Sequence, residues 1–156
     1  IGDNAFSTST LKRIDIPTKI EDEISGKPWG ASNAIIYWKG VVDAKPFIFN
    51  TLTKKIIRYI GEETDIEIPS EITIGDQVYG VEHIGQNAFR DNRTITSMKI
   101  PDNIISIEDG AFKGTSSLTN VTLGNGLETI GGSAFESSGI TSIEIPDSVT
   151  SIGNNA

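Results

Sequence analysis

The sequence predicts a β-rich solenoid of stacked short turns, with parallel strands on one face, few or no long helices, and a hairpin or cap segment that interrupts the stack. Three observations carry this reading. The pairs Ala88-Phe89, Ala111-Phe112 and Ala134-Phe135 recur every 23 residues, and Ile84, Ile107, Ile130 and Ile152 keep the same beat with a last step of 22. Self-similarity at a fixed period outranks local propensity as a guide to fold. Such a unit is too short for a βαβ crossover, which takes about 30 residues or more, so each copy makes one turn of the stack. Finally, a lone turn buries too little apolar surface to offset the entropy of ordering it, and neighbours must cover it.

The strand of each turn comes from "ITSIEIP" (140–146), in which Ile143 and Ile145 share one face and Ser142 and Glu144 the other, the period of two that an extended chain imposes. Pro146 stops it, because proline donates no ladder hydrogen bond. The same phrase appears as "LKRIDIP" from Leu11, "TDIEIP" from Thr64 and "ITSMKIP" from Ile95, and as "LTNVTLG" with Gly124 as the stop. Stacked, these strands form one parallel sheet. The rest of the unit reads as a short extended segment and a tight turn, after which Phe folds back into the interior. The chain opens on "IGDNAFSTSTLKRIDIP" and stops at Ala156, where the pattern next expects Phe, so the sequence is expected to be an excerpt of a longer array.

Between Ile20 and Asp65 the rhythm fails. A strand-like run lies at Ala34 to Trp38, and "KPFIFNTLTKKIIRYIG" (45–61) reads as two strands, about Phe47 to Phe49 and Ile56 to Ile60, joined as a hairpin. Solenoid ends need atypical capping units. Residues 1–43 are therefore expected to end one repeat block with a cap-like strand, and residues 44–156 to open on the hairpin and continue as repeats, the two forming one packed body. The alternative is a continuous solenoid with an excursion, since Ile66 and Ile68-Pro69 already resume the strand pattern and "SEITIGDQVYGVEHIGQNAF" looks like a repeat lengthened by a loop at Gly75 to Gly80.

Composition narrows the function. With 13 basic and 21 acidic residues the formal charge is −8, which argues against a phosphate-binding surface and so against nucleic acid. There is no cysteine, which removes disulfides and thiolate metal sites. No apolar run approaches the ~18 residues of a membrane span, so no membrane insertion is expected of this segment.

Catalysis needs a nucleophile or base held by a partner. His83, the sole histidine, precedes core Ile84, and Gly131-Gly132-Ser133-Ala134-Phe135 breaks the Gly-x-Ser-x-Gly pattern at its last position. His83 is read as a partly exposed corner residue, and no enzyme activity, cofactor or metal is expected. The acidic runs Glu21-Asp22-Glu23 and Glu62-Glu63-Thr64-Asp65 match no calcium-loop spacing and read as solvated charge. Two glycosylation-acceptor patterns, at Asn92 and Asn120, are read as chance. Trp29, Tyr37 and Trp38 bring both tryptophans within ten residues. They suit a sugar-stacking platform or a hot spot, though burial in a cap is the expected fate.

The outward residues of the strands should align as columns, one through Asp15, Glu67, Lys99, Thr122 and Glu144, its neighbour through Arg13, Asp65, Ser97, Asn120 and Ser142. Sheet faces of solenoids are extended binding surfaces, and this one is polar and mixed in charge.

The phrase "IP-x-x-V-T-S-I-G-x-x-A-F", nearly literal in Ile145 to Ala156 and again in Thr129 to Val149, resembles the BspA-like class of bacterial leucine-rich repeats. The match runs over Ile1 to about Ile20 and about Thr64 to Ala156, with the Ile-Gly, Ala-Phe and Ile-Pro elements in register. There are two departures. Where the family often places Cys after Ala-Phe, this chain has Ser9, Asn92, Thr115 and Ser138, so corner packing is expected there. The asparagine ladder of other leucine-rich repeats is absent. The resemblance implies a non-enzymatic protein at the cell surface or secreted, mediating adhesion to a host extracellular matrix or mucosal protein or glycan, or to other bacterial surface proteins. A spacer presenting another domain, or a glycan-binding module using Trp29 and Trp38, is the alternative.

Overall fold

The computed structural model describes residues 13–16, 35–38 and 41–156. Two compact units divide the chain, Ile1–Val42 and Asp43–Ala156. In the first, strands β1 (Arg13–Ile16) and β2 (Ile35–Trp38) pair in parallel, Arg13 opposite Ile35 and Asp15 opposite Tyr37. The offset from 13 to 35 is 22 residues, so "IIYW" occupies the strand position one turn after "RIDI".

The following strands are β3 (Val41–Ala44), β4 (Phe47–Asn50), β5 (Lys55–Tyr59), β6 (Asp65–Glu67), β7 (Glu71–Ile74), β8 (Gln77–Gly80), β9 (His83–Ile84), β10 (Ser97–Lys99), β11 (Ser106–Ile107), β12 (Asn120–Thr122), β13 (Thr129–Ile130) and β14 (Ser151–Ile152). No α-helix forms among the described residues. The expected parallel wall is β6–β10–β12, with Ile66, Met98 and Val121 in register and turned inward. Unexpectedly, the opposite half of each turn is also a ladder. Strands β5, β9, β11, β13 and β14 run parallel, stacking Ile56, Ile84, Ile107, Ile130 and Ile152.

Two features explain why the turns stack. A column of rings fills the corner, Phe89 on Phe112 at 5.0 Å and Phe112 on Phe135 at 5.1 Å, nearly coplanar at 19° and 5°. Beneath it, each corner bonds to the next: Phe89 N–H to Ala111 O, Phe112 N–H to Ala134 O and Phe135 N–H to Ala156 O, at 2.7 to 3.0 Å. Alanine is required beside each Phe because its backbone abuts the next turn; Ala88, Ala111 and Ala134 are buried. Each turn also places residues in the left-handed region, at Asn87, Gly110, Ser133 and Asn155 and again at Asp91, Gly114 and Ser137. Short polar residues and glycine tolerate that conformation best.

The hairpin β4–β5 starts the stack. Asn50 closes its turn by accepting from Leu52 N–H and Thr53 N–H. Strand β5 is antiparallel to β4 on one side and parallel to β9 on the other. It also supplies the first ring of the column, since Tyr59 stacks on Phe89 at 5.4 Å and its N–H bonds Ala88 O. The lengthened repeat differs from expectation: Gly75 to Gly80 is not a loop but the turn and second strand of an antiparallel hairpin, β7–β8, with Gly75 at φ 60°. Thr115, at a position where the family often has cysteine, is fully buried and donates its hydroxyl to Phe112 O at 2.6 Å, in line with the expected corner packing.

Candidate functional site: the outer face of the first wall

The wall β6–β10–β12 turns Asp65, Ser97 and Asn120 outward in one column and Glu67, Lys99 and Thr122 in the next, each in direct register. All but half-buried Ser97 are exposed. Cross-strand bonds fix their geometry. Ser97 Oγ donates to Asp65 Oδ1 at 2.7 Å and Thr64 Oγ1 to Oδ2 at 3.0 Å. The hydroxyl of Ser97, then that of Thr64, holds the Asp65 carboxyl below its usual range. Lys99 Nζ meets Glu67 Oε1 at 2.6 Å. The face therefore offers a compensated ion pair beside an ionised aspartate, with Asn120 and Thr122 as exposed amide and hydroxyl. It is built for polar recognition.

The expected columns do not run the whole length. Arg13 and Asp15 lie on β1, whose ladder partner is β2 in a separate two-stranded sheet. At the other end Ser142 and Glu144 are exposed but lie outside any strand, because Ile140–Pro146 forms no ladder with β12. The corner before that segment is one residue short: five positions separate Phe135 from Ile140, whereas six separate Phe112 from Leu118. Tyr37 and Trp38 fall on β2, with only their backbone described, and Trp29 lies outside the described residues.

His83 does not sit at a corner. It stands on β9 in the outer column of the second wall, with Lys55 and Ser106 as its ladder neighbours and Thr129 one strand further on, and its Nδ1 lies 2.8 Å from Ser106 Oγ. Sequence reasoning missed this column. Its signal was present in the 23-residue step of His83, Ser106 and Thr129, but a two-residue strand carries no alternation. Beside it runs a polar groove of about 520 Å³ lined by Gln86, Glu108, Asp109 and Gly132 among others. Asp109 there is engaged, accepting Gly132 N–H at 2.6 Å. Among the described residues no group of three or more His, Cys, Asp or Glu is placed to hold a metal ion.

Of the acidic run at 62–65, Glu63 accepts the Tyr59 hydroxyl. That bond is the main reason its carboxyl sits below the usual range, while burial, then the same bond, pushes Tyr59 up to about 12. Lys113 bonds Glu136 across one turn at 2.8 Å and lowers that carboxyl likewise.

Comparisons with known proteins agree with this architecture. The family model described as BspA type leucine-rich repeat region matches residues 82–156, in six copies. The chain is similar to a leucine-rich repeat protein of Bacteroides capillosus, at 28% identity and a TM-score of 0.66, covering 75% of this chain and 94% of that one. It is also similar to a leucine-rich cell surface protein of Faecalibacterium prausnitzii, at 31% identity and a TM-score of 0.63, covering 73% of this chain but 32% of that one. The pneumococcal vaccine antigen PcpA shares the fold over 92% of this chain and 35% of its own, with 14% identity and a TM-score of 0.63. No curated protein matches at a significant level. Among the described residues no helix is long and apolar enough to cross a membrane.

Proposed function

From the premise that residues 82–156 belong to the BspA-type leucine-rich repeat family, we propose that the chain is a non-enzymatic binding segment displayed at the bacterial cell surface or secreted. It would attach to a protein or glycan of host matrix or mucosa, or to other bacterial surface proteins. The observation that carries the reading is the exposed, in-register polar face of β6–β10–β12, where side chains with no part in the core are held by cross-strand bonds. Rigid presentation reduces the entropy lost on binding. Similarity to a leucine-rich cell surface protein supports the location.

The test is binding of the chain to immobilised matrix glycoproteins and mucins, beside an Asp65→Arg, Glu67→Arg variant with an unchanged circular dichroism spectrum. Saturable binding that falls at least tenfold in the variant is the expected result. Binding that is absent throughout, or that survives the double charge reversal, refutes the assignment to this face.

A further inference from the structure

The basic residues of the second unit divide into two kinds. Lys54, Lys55, Lys99 and Lys113 each meet a carboxylate from another part of the stack, Glu82, Glu108, Glu67 and Glu136, with Lys55 reaching past β9 to do so. In a chain with 21 acidic and 13 basic residues, such pairing is the default. The arginines, Arg58, Arg90 and Arg93, have no such partner on another turn or strand among the described residues. Arg58 projects from β5, exposed and without an ion pair or hydrogen bond among the described residues. Arg90 is held only by long contacts of 3.4 Å, to Asp91 next to it and to Asn87 Oδ1.

These two arginines line one concavity of about 370 Å³ at the corner where the hairpin meets the first Ala-Phe turn, together with Tyr59, Asn87, Asp91 and Asn92. Local structure fixes the rim. Asn87 and Asp91 occupy the left-handed positions of the turn, both at φ 57°. Asn92 Oδ1 accepts Thr94 N–H and Ile95 N–H at 2.9 and 3.1 Å, which leaves its amide N–H2 as the free end. Asp91 is the one acid in the lining; its Oδ2 faces Arg90 Nε, and its Oδ1 lies where a side chain on Gly114 would stand. Glu136 also lies within electrostatic reach of Arg90, but its own bond is to Lys113. The lining thus carries a net positive charge within an acidic protein.

We propose that this corner binds the carboxylate-bearing sugar residue of an acidic glycan. A guanidinium pairs a planar carboxylate through two parallel N–H···O bonds; Arg58 has no ion pair among the described residues, and Arg90 has only its 3.4 Å contact with the exposed Asp91, which leaves its terminal nitrogens open to a ligand. The amides of Asn87 and Asn92 beside them suit the hydroxyls of one sugar ring, and the volume falls within the ~300–1,000 Å³ range of small-ligand sites. The site lies away from the β6–β10–β12 face, so neither assignment depends on the other.

The experiment is a ¹⁵N NMR titration of the whole chain, following the backbone and the arginine Nε–Hε signals. The probes are methyl glucuronoside, methyl glucoside, inorganic sulfate and N-acetyl-aspartate amide. Saturable shifts at residues 58 and 90 with the glucuronoside, at least tenfold weaker with the neutral glucoside, are expected. Arg58→Gln and Arg90→Gln should each weaken binding about tenfold or more, and Arg58→Lys should restore less than half of the loss because it keeps the charge without the fork. Arg93→Gln, an exposed arginine outside the concavity, should change nothing, and its unchanged spectrum shows that removing a surface guanidinium leaves the fold intact. Equal affinity for glucoside, equal affinity for sulfate, preference for the aspartate amide, or insensitivity to Arg58→Gln would each overturn the proposal.

Discussion

Replacing Phe112 by alanine tests the stacking logic most directly. The side chain is fully buried, with ring neighbours at 5.0 Å on one side and 5.1 Å on the other. Emptying such a site removes the transfer free energy of the ring and leaves a cavity, for which Phe→Ala substitutions cost about 3–5 kcal/mol. The upper half of that range is expected here. Corner bonds from Phe89 N–H to Ala111 O and from Phe112 N–H to Ala134 O run through the residue's own backbone and its neighbour's, so the stack has little freedom to collapse into the void. For a chain of this size 1 kcal/mol corresponds to about 2–4 °C, so a fall in Tm of roughly 8–20 °C is expected. The assay is thermal and urea unfolding followed by far-ultraviolet circular dichroism, with Glu144→Ala alongside. Glu144 is exposed and bonded to nothing among the described residues, and its removal should stay within about 0.5 kcal/mol. A cost below about 1 kcal/mol for Phe112→Ala, or equal costs for the two, would refute the inside and outside assignment.

Two further perturbations probe the ends of the same logic. Tyr59 has its pKa pushed up to about 12, above the ordinary value near 10, so its contribution is fully present below about pH 10 and is lost as pH rises through about 12. Absorbance at 295 nm should show the ionisation step that Tyr59→Phe removes coinciding with unfolding, and Tyr59→Phe should flatten the alkaline limb; if the step removed by Tyr59→Phe lies near pH 10 with the fold intact, the burial of Tyr59 is contradicted. Gly126→Ala should destabilise by about 1–3 kcal/mol or more, since an ideal Cβ would lie 1.8 Å from the Asp102 carbonyl oxygen. Gly80→Ala, with no atom within 4 Å of its Cβ, should be near neutral by the same melts, and an equal loss would mean that close turn-to-turn approach does not explain the glycines.

How far the sequence spoke depended on whether a feature repeats. The Ala-Phe corners were legible because each turn restates them at a fixed step, and the column at Asp65, Ser97 and Asn120 because the same strand phrase returns, although its first step is 32 residues and its second 23. The second ladder was not, because His83–Ile84, Ser106–Ile107 and Thr129–Ile130 are two-residue strands whose pairing comes from stacking, not from local propensity. Hairpin β7–β8 hid because only its first strand alternates: Glu71-Ile72-Thr73-Ile74 does, whereas Gln77-Val78-Tyr79-Gly80 does not, and Val78 is 59% exposed. The concavity at Arg58 and Arg90 joins residues 32 positions apart. That distance is no multiple of the period, because the added hairpin β7–β8 lies between them.

That contrast separates what similarity transmits from what it does not. The inward positions of the second wall and the corner are nearly invariant from turn to turn, isoleucine at 56, 84, 107 and 130 and phenylalanine at 89, 112 and 135, while those of the first wall stay apolar but vary, Ile66, Met98 and Val121. The outward positions at the same phase change freely: lysine, histidine, serine and threonine along 55, 83, 106 and 129, and aspartate, serine and asparagine along 65, 97 and 120. Identity of 28% to 31% with other bacterial arrays can therefore reside in the interior, where it preserves the fold, while the columns that a partner would touch differ. Fold likeness carries no function by itself. In this chain a substitution within a column should move binding and leave stability alone, and a substitution in the interior should do the reverse, because the two sets of residues alternate along the same strands and share no packing.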